Sequence, residues 1–239
     1  MPNLRRIVLP GLPHHICHRG NFRQPIFFRD SDRQLYLDLL AEHSRHHGVS
    51  IQAWCLMPNH VHIIATPHDL NGLHYTFERV EGDYARSLHI RLHRRGHLWQ
   101  GRFRSAPMDE KHFWAAMIYL ERNPVRARLA DTAEQWRWSS ARARLEDRPG
   151  TLLDLTQWRA RYTPEQWRQS LTLGFEDSAL LERIRECTRL GRPAAEALFL
   201  SRLGDKLGRN LLPRKPGRPR KPVASERVAS DHAARANSA

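Results

Sequence analysis

The sequence predicts an α+β fold: an antiparallel sheet with helices packed on it, followed by a helical and basic C-terminal extension. Three observations carry that expectation. Short alternating or apolar runs of strand character are interleaved with longer stretches of helical period, in the order strand, helix, hairpin, helix, strand, helix. Turn residues such as Gly20-Asn21 and Pro58-Asn59 punctuate the runs. Beyond about Leu145 the pattern changes to short amphipathic segments and then to a Pro-, Ala- and Ser-rich basic tail.

In order along the chain, HHICHRGN (14–21) is expected as a first strand that breaks at Gly20-Asn21. FRDSDRQLYLDLLAEHSRHHG follows as a helix, with Asp30 or Ser31 as cap, Leu35, Leu39 and Leu40 on one face, and Gly48 as its stop. VSIQAWCLM and HVHIIATP form a hairpin about Pro58-Asn59. A long helix spans about 71–95 and ends in the basic run RLHRRG; HLWQGRFRSAPM supplies one or two short strands interrupted at Gly101. DEKHFWAAMIYLERNP is a helix with acids in its first turn, and it ends near Asn123 because a residue before proline is disfavoured in helical geometry. WRWSSARARL closes this unit near Leu145. The expected division is therefore 1–145 as one α+β unit, 146–208 as a helical extension and 209–239 as a basic tail. TPEQWRQSLTLG and two amphipathic segments about a Gly-Arg-Pro turn supply the helices of the extension, either as a helix-turn-helix-like reader or as a small bundle.

Composition limits the function classes. No apolar run approaches the ~20 residues of a membrane span, and MPNLRRIVLPGLPHH does not read as a secretory signal. Cys17, Cys55 and Cys187 form no CxxC pair, which disfavours a zinc ribbon or disulfide framework and suits a reducing, cytoplasmic setting. Lys and Arg number 39 against 25 acids, a net charge of +14. Such an excess speaks of polyanionic partners, nucleic acid first. No membrane partner is expected.

The sharpest local feature is MPNHVHIIA. On a strand, His60 and His62 share a face, as do Val61, Ile63 and Ala65 on the other. The pair is either a set of metal ligands or two solvated imidazoles. In the helix over 109–122, Phe113, Ala116, Met117 and Leu120 make an apolar stripe, and Tyr119 and Asn123 lie one turn apart on its flank. Packed on the histidine face, that helix would hang Tyr119 over the pair and offer the Asn123 amide oxygen. The plainer alternative is a boundary tyrosine and a helix-ending asparagine. His14, His15 and His18 form a second cluster, read as solvated or DNA-facing.

Three blocks, MPNHVHIIATP, GHLWQGRFRS and YLERNPVRARL, resemble the signature blocks of single-tyrosine HUH transposases, and most of all the REP-associated tyrosine transposases. The resemblance spans roughly residues 10 to 145. It implies a ferredoxin-like (RRM-like) HUH endonuclease core. His60 and His62 would hold a divalent metal, Mg²⁺ or Mn²⁺, with Asn123 as third ligand and Tyr119 as nucleophile. The implied activity is cleavage and rejoining of single-stranded DNA at a palindromic hairpin through a 5′-phosphotyrosine, by a monomer or homodimer at the bacterial nucleoid. Arg86, Arg91, Arg94 and Arg95, with Arg102 and Arg104, would form a phosphate-holding surface near the site. A rolling-circle nickase is the nearest enzymatic alternative, although such proteins often carry paired tyrosines on the helix and this one has a single tyrosine. A DNA-binding regulator on the same scaffold is the non-enzymatic one.

Residues 201–239 hold ten Lys/Arg against three acids, about half of the net charge. RKPGRPRK (Arg214, Lys215, Arg218, Arg220, Lys221) resembles an AT-hook lying in an A·T-rich minor groove, or else is a flexible polybasic tail. Deleting 209–239 is expected to weaken duplex affinity and flatten its salt dependence. Titrations of a fluorescent duplex at several salt concentrations check this; equal affinities and slopes would remove the tail from DNA binding.

Overall fold

The computed structural model describes residues 6–174, 177–208 and 210–211. The hook residues Arg214, Lys215, Arg218, Arg220 and Lys221 lie outside the described residues. The first unit runs β1 (His14–Arg19), α1 (Asp30–His46), β2 (Val49–Met57), β3 (His60–Pro67), α2 (Gly72–Leu92), β4 (Arg104–Pro107) and α3 (Glu110–Glu121). Shorter helices follow: α4 (Asn123–Arg126), α5 (Ala141–Leu145), α6 (Thr156–Arg159), α7 (Pro164–Leu173), α8 (Ser178–Leu190) and α9 (Ala197–Leu207).

The strands form one sheet in the order β2-β3-β1-β4, every neighbouring pair antiparallel. The β1–α1–β2 crossover leaves room for β3 beside β1, and β3–α2–β4 leaves room for β1. That is the split-βαβ, ferredoxin-like arrangement. It puts β1 and β3 at the centre, which is why both are flanked on two sides by hydrogen bonds.

Register decides which side chains share a face, since directly opposed residues of antiparallel strands do so. His62 is opposite Cys17 and Cys55, His60 is opposite Arg19 and Met57, and Cys17 is also opposite Arg104. His15, opposite Ile64 and Ala106, belongs to the same face. The other face carries His14, Ile16, His18, Val61 and Ile63, and α1 and α2 cover it. The sheet is covered on both sides, so the strands are not half-exposed: in β2 every residue except Ser50 is buried. α3 lies across the histidine face, against β1, β2 and β3.

Several sequence expectations change. His14, His15 and His18 are not solvated; all three are buried, and His15 and His18 line the cleft described below. The ring of His14 bridges the Leu12 carbonyl and the Leu9 amide. His18 stacks on Trp99 and meets the Glu81 carboxylate of α2 at 2.6 Å. A single strand, Arg104–Pro107, forms where two were possible, joined by one isolated Gly20–Trp99 bridge. α1 is opened by neither Asp30 nor Ser31: Asp32 Oδ2 reaches back to accept from the amides of Phe28 and Arg29 at 2.8 and 2.9 Å. α3 breaks at Arg122, and Pro124, which lacks an amide hydrogen to satisfy, sits at the start of the next turn.

The segments after Leu145 join the same core. Trp158, Trp167, Leu171, Leu180 and Ile184 belong to the cluster that contains Ile63 and Phe113. α8 packs on α3, β4 and β1 rather than pairing only with its neighbour α9. The tie between α3 and this region is polar. Glu121, wholly buried at the end of α3, accepts from Ser140 Oγ at 2.6 Å and Arg144 Nε at 3.1 Å on one oxygen, and from Trp167 Nε1 at 2.8 Å on the other. Arg144, equally buried, also donates to the Gln52 carbonyl of β2. Removing one partner leaves an uncompensated charge inside the protein. Glu121→Ala is expected to cost about 3–5 kcal/mol, read as the loss of stability in urea denaturation; a loss below ~1 kcal/mol would show that the ion pair does not hold α3.

Candidate active site

The β2–β3 turn sets the entrance. Gly20, just after β1, donates its amide to the Asn59 carbonyl at 2.9 Å. A Cβ at Gly20 would lie 2.3 Å from the Gln24 carbonyl oxygen, so only glycine allows this approach. Asn59 Nδ2 donates to the Arg23 carbonyl at 3.1 Å, which turns its Oδ1 toward His60 Nδ1 at 2.6 Å. A carboxamide oxygen only accepts, so His60 carries its hydrogen on Nδ1 and leaves Nε2 bare.

His60 and His62 present their rings 4.9 Å apart at a steep angle of 83°. His62 Nδ1 lies 3.0 Å from His15 Nε2, and the His15 and His62 rings stack at 5.1 Å. Burial holds these imidazoles neutral. It lowers His15 to about 4; it lowers His60 to about 4 with help from Arg19 and Arg126; and it drives His62 well below its usual value, aided by His60, His15, Arg126 and Arg19. Neutral imidazole is the form that donates a lone pair to a metal.

α3 brings Tyr119 over the pair. Its ring centroid is 6.2 Å from that of His62 and 6.5 Å from that of His15, edge-on to both. The guanidinium carbons of Arg126 and Arg185 lie 4.2 and 5.0 Å from the tyrosine centroid, and Arg185 Nε donates to the hydroxyl at 3.2 Å. Both cations face the electron-rich ring, whose quadrupole attracts them. Asn123 is buried in the same cleft, with Oδ1 accepting from Arg126 at 2.6 Å and Nδ2 without a hydrogen-bond partner among the described residues.

The cleft has a volume of about 580 Å³. Tyr119, His60, His62 and Asn123 all line it, as do Arg102 and Arg104. Arg86, Arg91, Arg94 and Arg95 do not. They belong to α2 and the turn after it, on the far side of the sheet. Arg91 is paired with Asp32 at 2.6 Å, Arg86 stands exposed 3.7 Å from Asp83, and Arg94 lies over Phe28. Of the six predicted arginines only Arg102 and Arg104 share the cleft with the histidine pair, so the expected surface near the site is not continuous with the other four. The cleft's other cations, Arg19, Arg23, Arg126, Arg185 and Arg189, escaped the sequence reading. Arg126 left a signal, three residues after Asn123 and seven after Tyr119 on a near-continuous helical path. Arg185 and Arg189 left none, because only the docking of α8 brings them here. On the rim, next to Arg23, Phe22 is 92% exposed with φ 49°, a conformation unusual for a bulky residue.

The donor set suits a divalent ion at an open site. Two neutral imidazoles offer bare nitrogen atoms, and the Asn123 oxygen keeps a second lone pair beyond its bond to Arg126. Among the described residues no further His, Cys, Asp or Glu completes a three-ligand cluster. A bound ion would draw its further ligands from the Asn123 amide oxygen and solvent.

Residues 10–123 match the sequence model of the family described as IS200-like transposases. That part of the chain is similar to the IS200-like transposases. In fold the chain is similar to a REP-associated tyrosine transposase solved in complex with a REP hairpin, at 18% identity and a TM-score of 0.54, covering 74% of this chain and 96% of that one. A candidate transposase from Deinococcus radiodurans R1 aligns at 21% identity with a TM-score of 0.35, over 51% of this chain and 97% of that one. No curated protein matches the chain. The matched segment ends at Asn123, the last of the predicted cleft side chains, so it contains His60, His62 and Tyr119 as well. No helix among the described residues is long and apolar enough to cross a membrane.

Proposed function

We propose that the protein is a transposase that cuts and rejoins single-stranded DNA at hairpins, with Tyr119 as nucleophile. The observation that carries this reading is the tyrosine hydroxyl, held by a guanidinium in a basic cleft beside two neutral, metal-competent imidazoles. The fold's likeness to a transposase that binds a REP hairpin favours a stem-loop substrate, in which a duplex read by shape adjoins unpaired bases.

In this reading the Tyr119 oxygen attacks the scissile phosphorus and the bond from phosphorus to the 3′ oxygen breaks. The 5′ end is left esterified to the tyrosine. The phenol proton ends on the released 3′-OH, so the exchange of esters needs no other reactant. Phenol, with a pKa near ~10, is a better leaving group than a sugar alcohol. A later attack by a DNA 3′-OH therefore expels it and reseals the strand without an external energy source. Arg126 and Arg185 stabilise the developing charge on the phenolic oxygen, and Arg102 and Arg104 hold flanking phosphates. His60, His62 and Asn123 would hold Mg²⁺ or Mn²⁺, which supplies Lewis-acid polarisation of the phosphate when bound; imidazole ligation favours Mn²⁺ of the two. The protein is proposed to act as a monomer or homodimer.

Tyr119→Phe is expected to abolish cleavage while stem-loop binding stays within about twofold. The check is a labelled stem-loop oligonucleotide with Mn²⁺, followed by denaturing electrophoresis for a protein–DNA adduct; a Phe variant that still forms the adduct would rule out Tyr119 as nucleophile. Phe22, exposed beside Arg23, is suited to stacking on an unpaired base. Phe22→Ala is expected to weaken binding of the single-stranded flank by roughly 1–3 kcal/mol, measured by fluorescence anisotropy with a blunt hairpin as control. Equal loss for both probes would count against stacking.

A further inference from the structure

Four groups on three elements form a chain of hydrogen bonds that ends on His62. The Ile184 carbonyl of α8 accepts the Thr188 hydroxyl at 2.8 Å. Thr188 Oγ1 in turn lies 2.8 Å from His15 Nδ1 on β1, and His15 Nε2 lies 3.0 Å from His62 Nδ1 on β3. A peptide carbonyl can only accept, and a hydroxyl has one hydrogen. With that hydrogen directed to Ile184, Thr188 meets His15 as an acceptor, so His15 must carry its hydrogen on Nδ1. His15 is 1% exposed and, among the described contacts, faces no carboxylate that would favour a second proton. Its Nε2 is then bare and accepts from His62 Nδ1–H. Each bond dictates the direction of the next, and the last leaves His62 Nε2 as the free lone pair.

We propose that Thr188 and His15 are positioning residues that lock His62 in its Nδ1–H tautomer and aim its Nε2 into the cleft as a metal ligand. The inference rests on the reading of His60 and His62 as the metal pair. His15 is not itself a third ligand in this arrangement, because its only bare nitrogen is spent on His62. His60 is locked the same way by a shorter route, through Asn59 Oδ1. Metal-bound histidines characteristically have their second ring nitrogen engaged by such partners, which fix ring orientation and raise ligand basicity.

The route through α8 has a consequence for the site as a whole. Thr188 lies three residues after Arg185, so it shares the face whose arginine holds the Tyr119 hydroxyl. One helical face therefore addresses both halves of the site, the nucleophile through Arg185 and the ligand through Thr188. α8 is seated by Leu180 and Ile184 in the core. A shift of this helix would release the tautomer and the tyrosine together.

The test uses the full chain with Thr188→Val, which keeps shape but removes the acceptor, Thr188→Ser, which restores it, and His62→Ala. Two readouts are taken: the ring ¹⁵N shifts of His62 in metal-free, histidine-labelled protein, and Mn²⁺ affinity by electron paramagnetic resonance. Wild type and Thr188→Ser are expected to show the Nδ1–H tautomer. Thr188→Val is expected to populate Nε2–H and to bind Mn²⁺ about 10–100-fold more weakly, with Ser restoring both. A role in packing alone would move neither the tautomer nor its rescue by serine. A Thr188→Val protein that keeps the Nδ1–H form and wild-type affinity overturns the relay. Mn²⁺ affinity unchanged in His62→Ala overturns the metal reading, and the ligation part of this inference with it, while the nitrogen shifts still decide the hydrogen-bond relay.

Discussion

The buried carboxylate of Glu121 is the contact on which the geometry of the cleft depends. It sits two residues after Tyr119 and two before Asn123, at the end of α3, and it binds side chains from Ser140, Arg144 and Trp167. Arg144 then reaches the backbone of β2. A charge taken out of water is tolerated only when its lone pairs are satisfied. α3 is consequently held in one axial rotation and one height above the sheet. With α3 fixed there, the tyrosine ring stands edge-on to His62; a helix free to turn by one residue, about 100°, would point it elsewhere.

Around the histidines the governing effect is desolvation rather than charge pairing. His15, His60 and His62 are surrounded by arginines and by one another, with burial as the largest cause of their lowered pKa values. The cleft thus joins two properties that usually oppose each other. It is strongly cationic, as the proposed nucleic-acid substrate requires, yet the imidazole nitrogens proposed as metal ligands carry no proton and remain available to a divalent ion. The guanidiniums supply the first property without competing for the second, because they are donors only.

The His60–His62 pair was legible because β3 has a period of two and its boundaries follow from the Pro58-Asn59 turn and Pro67. The relation of Tyr119 to Asn123 was legible because one helical turn separates them, even though the helix breaks between the two. The α2 arginines misled, since a basic run at a helix end says nothing about which side of a sheet that helix covers. His15 misled for the opposite reason. Histidines near an N-terminus look solvated until β1 is inserted between β3 and β4 in a sheet covered on both sides, which buries all three.

By itself the sequence determined the local periods: strands of alternating or apolar residues, amphipathic helices, the turn that starts β3, the spacing of the histidine pair, the single tyrosine with its asparagine, and the excess of positive charge. These depend on neighbours within a turn or two, where the geometry is set by the backbone repeat. Only the tertiary structure decided that the sheet is buried on both sides, that α3 rather than α2 overlies the histidines, and that α8 returns from well over a hundred residues away to complete the cleft. Those outcomes are set by which apolar faces bury one another and which buried polar groups find partners, and such pairings join residues whose separation along the chain carries no pattern of its own.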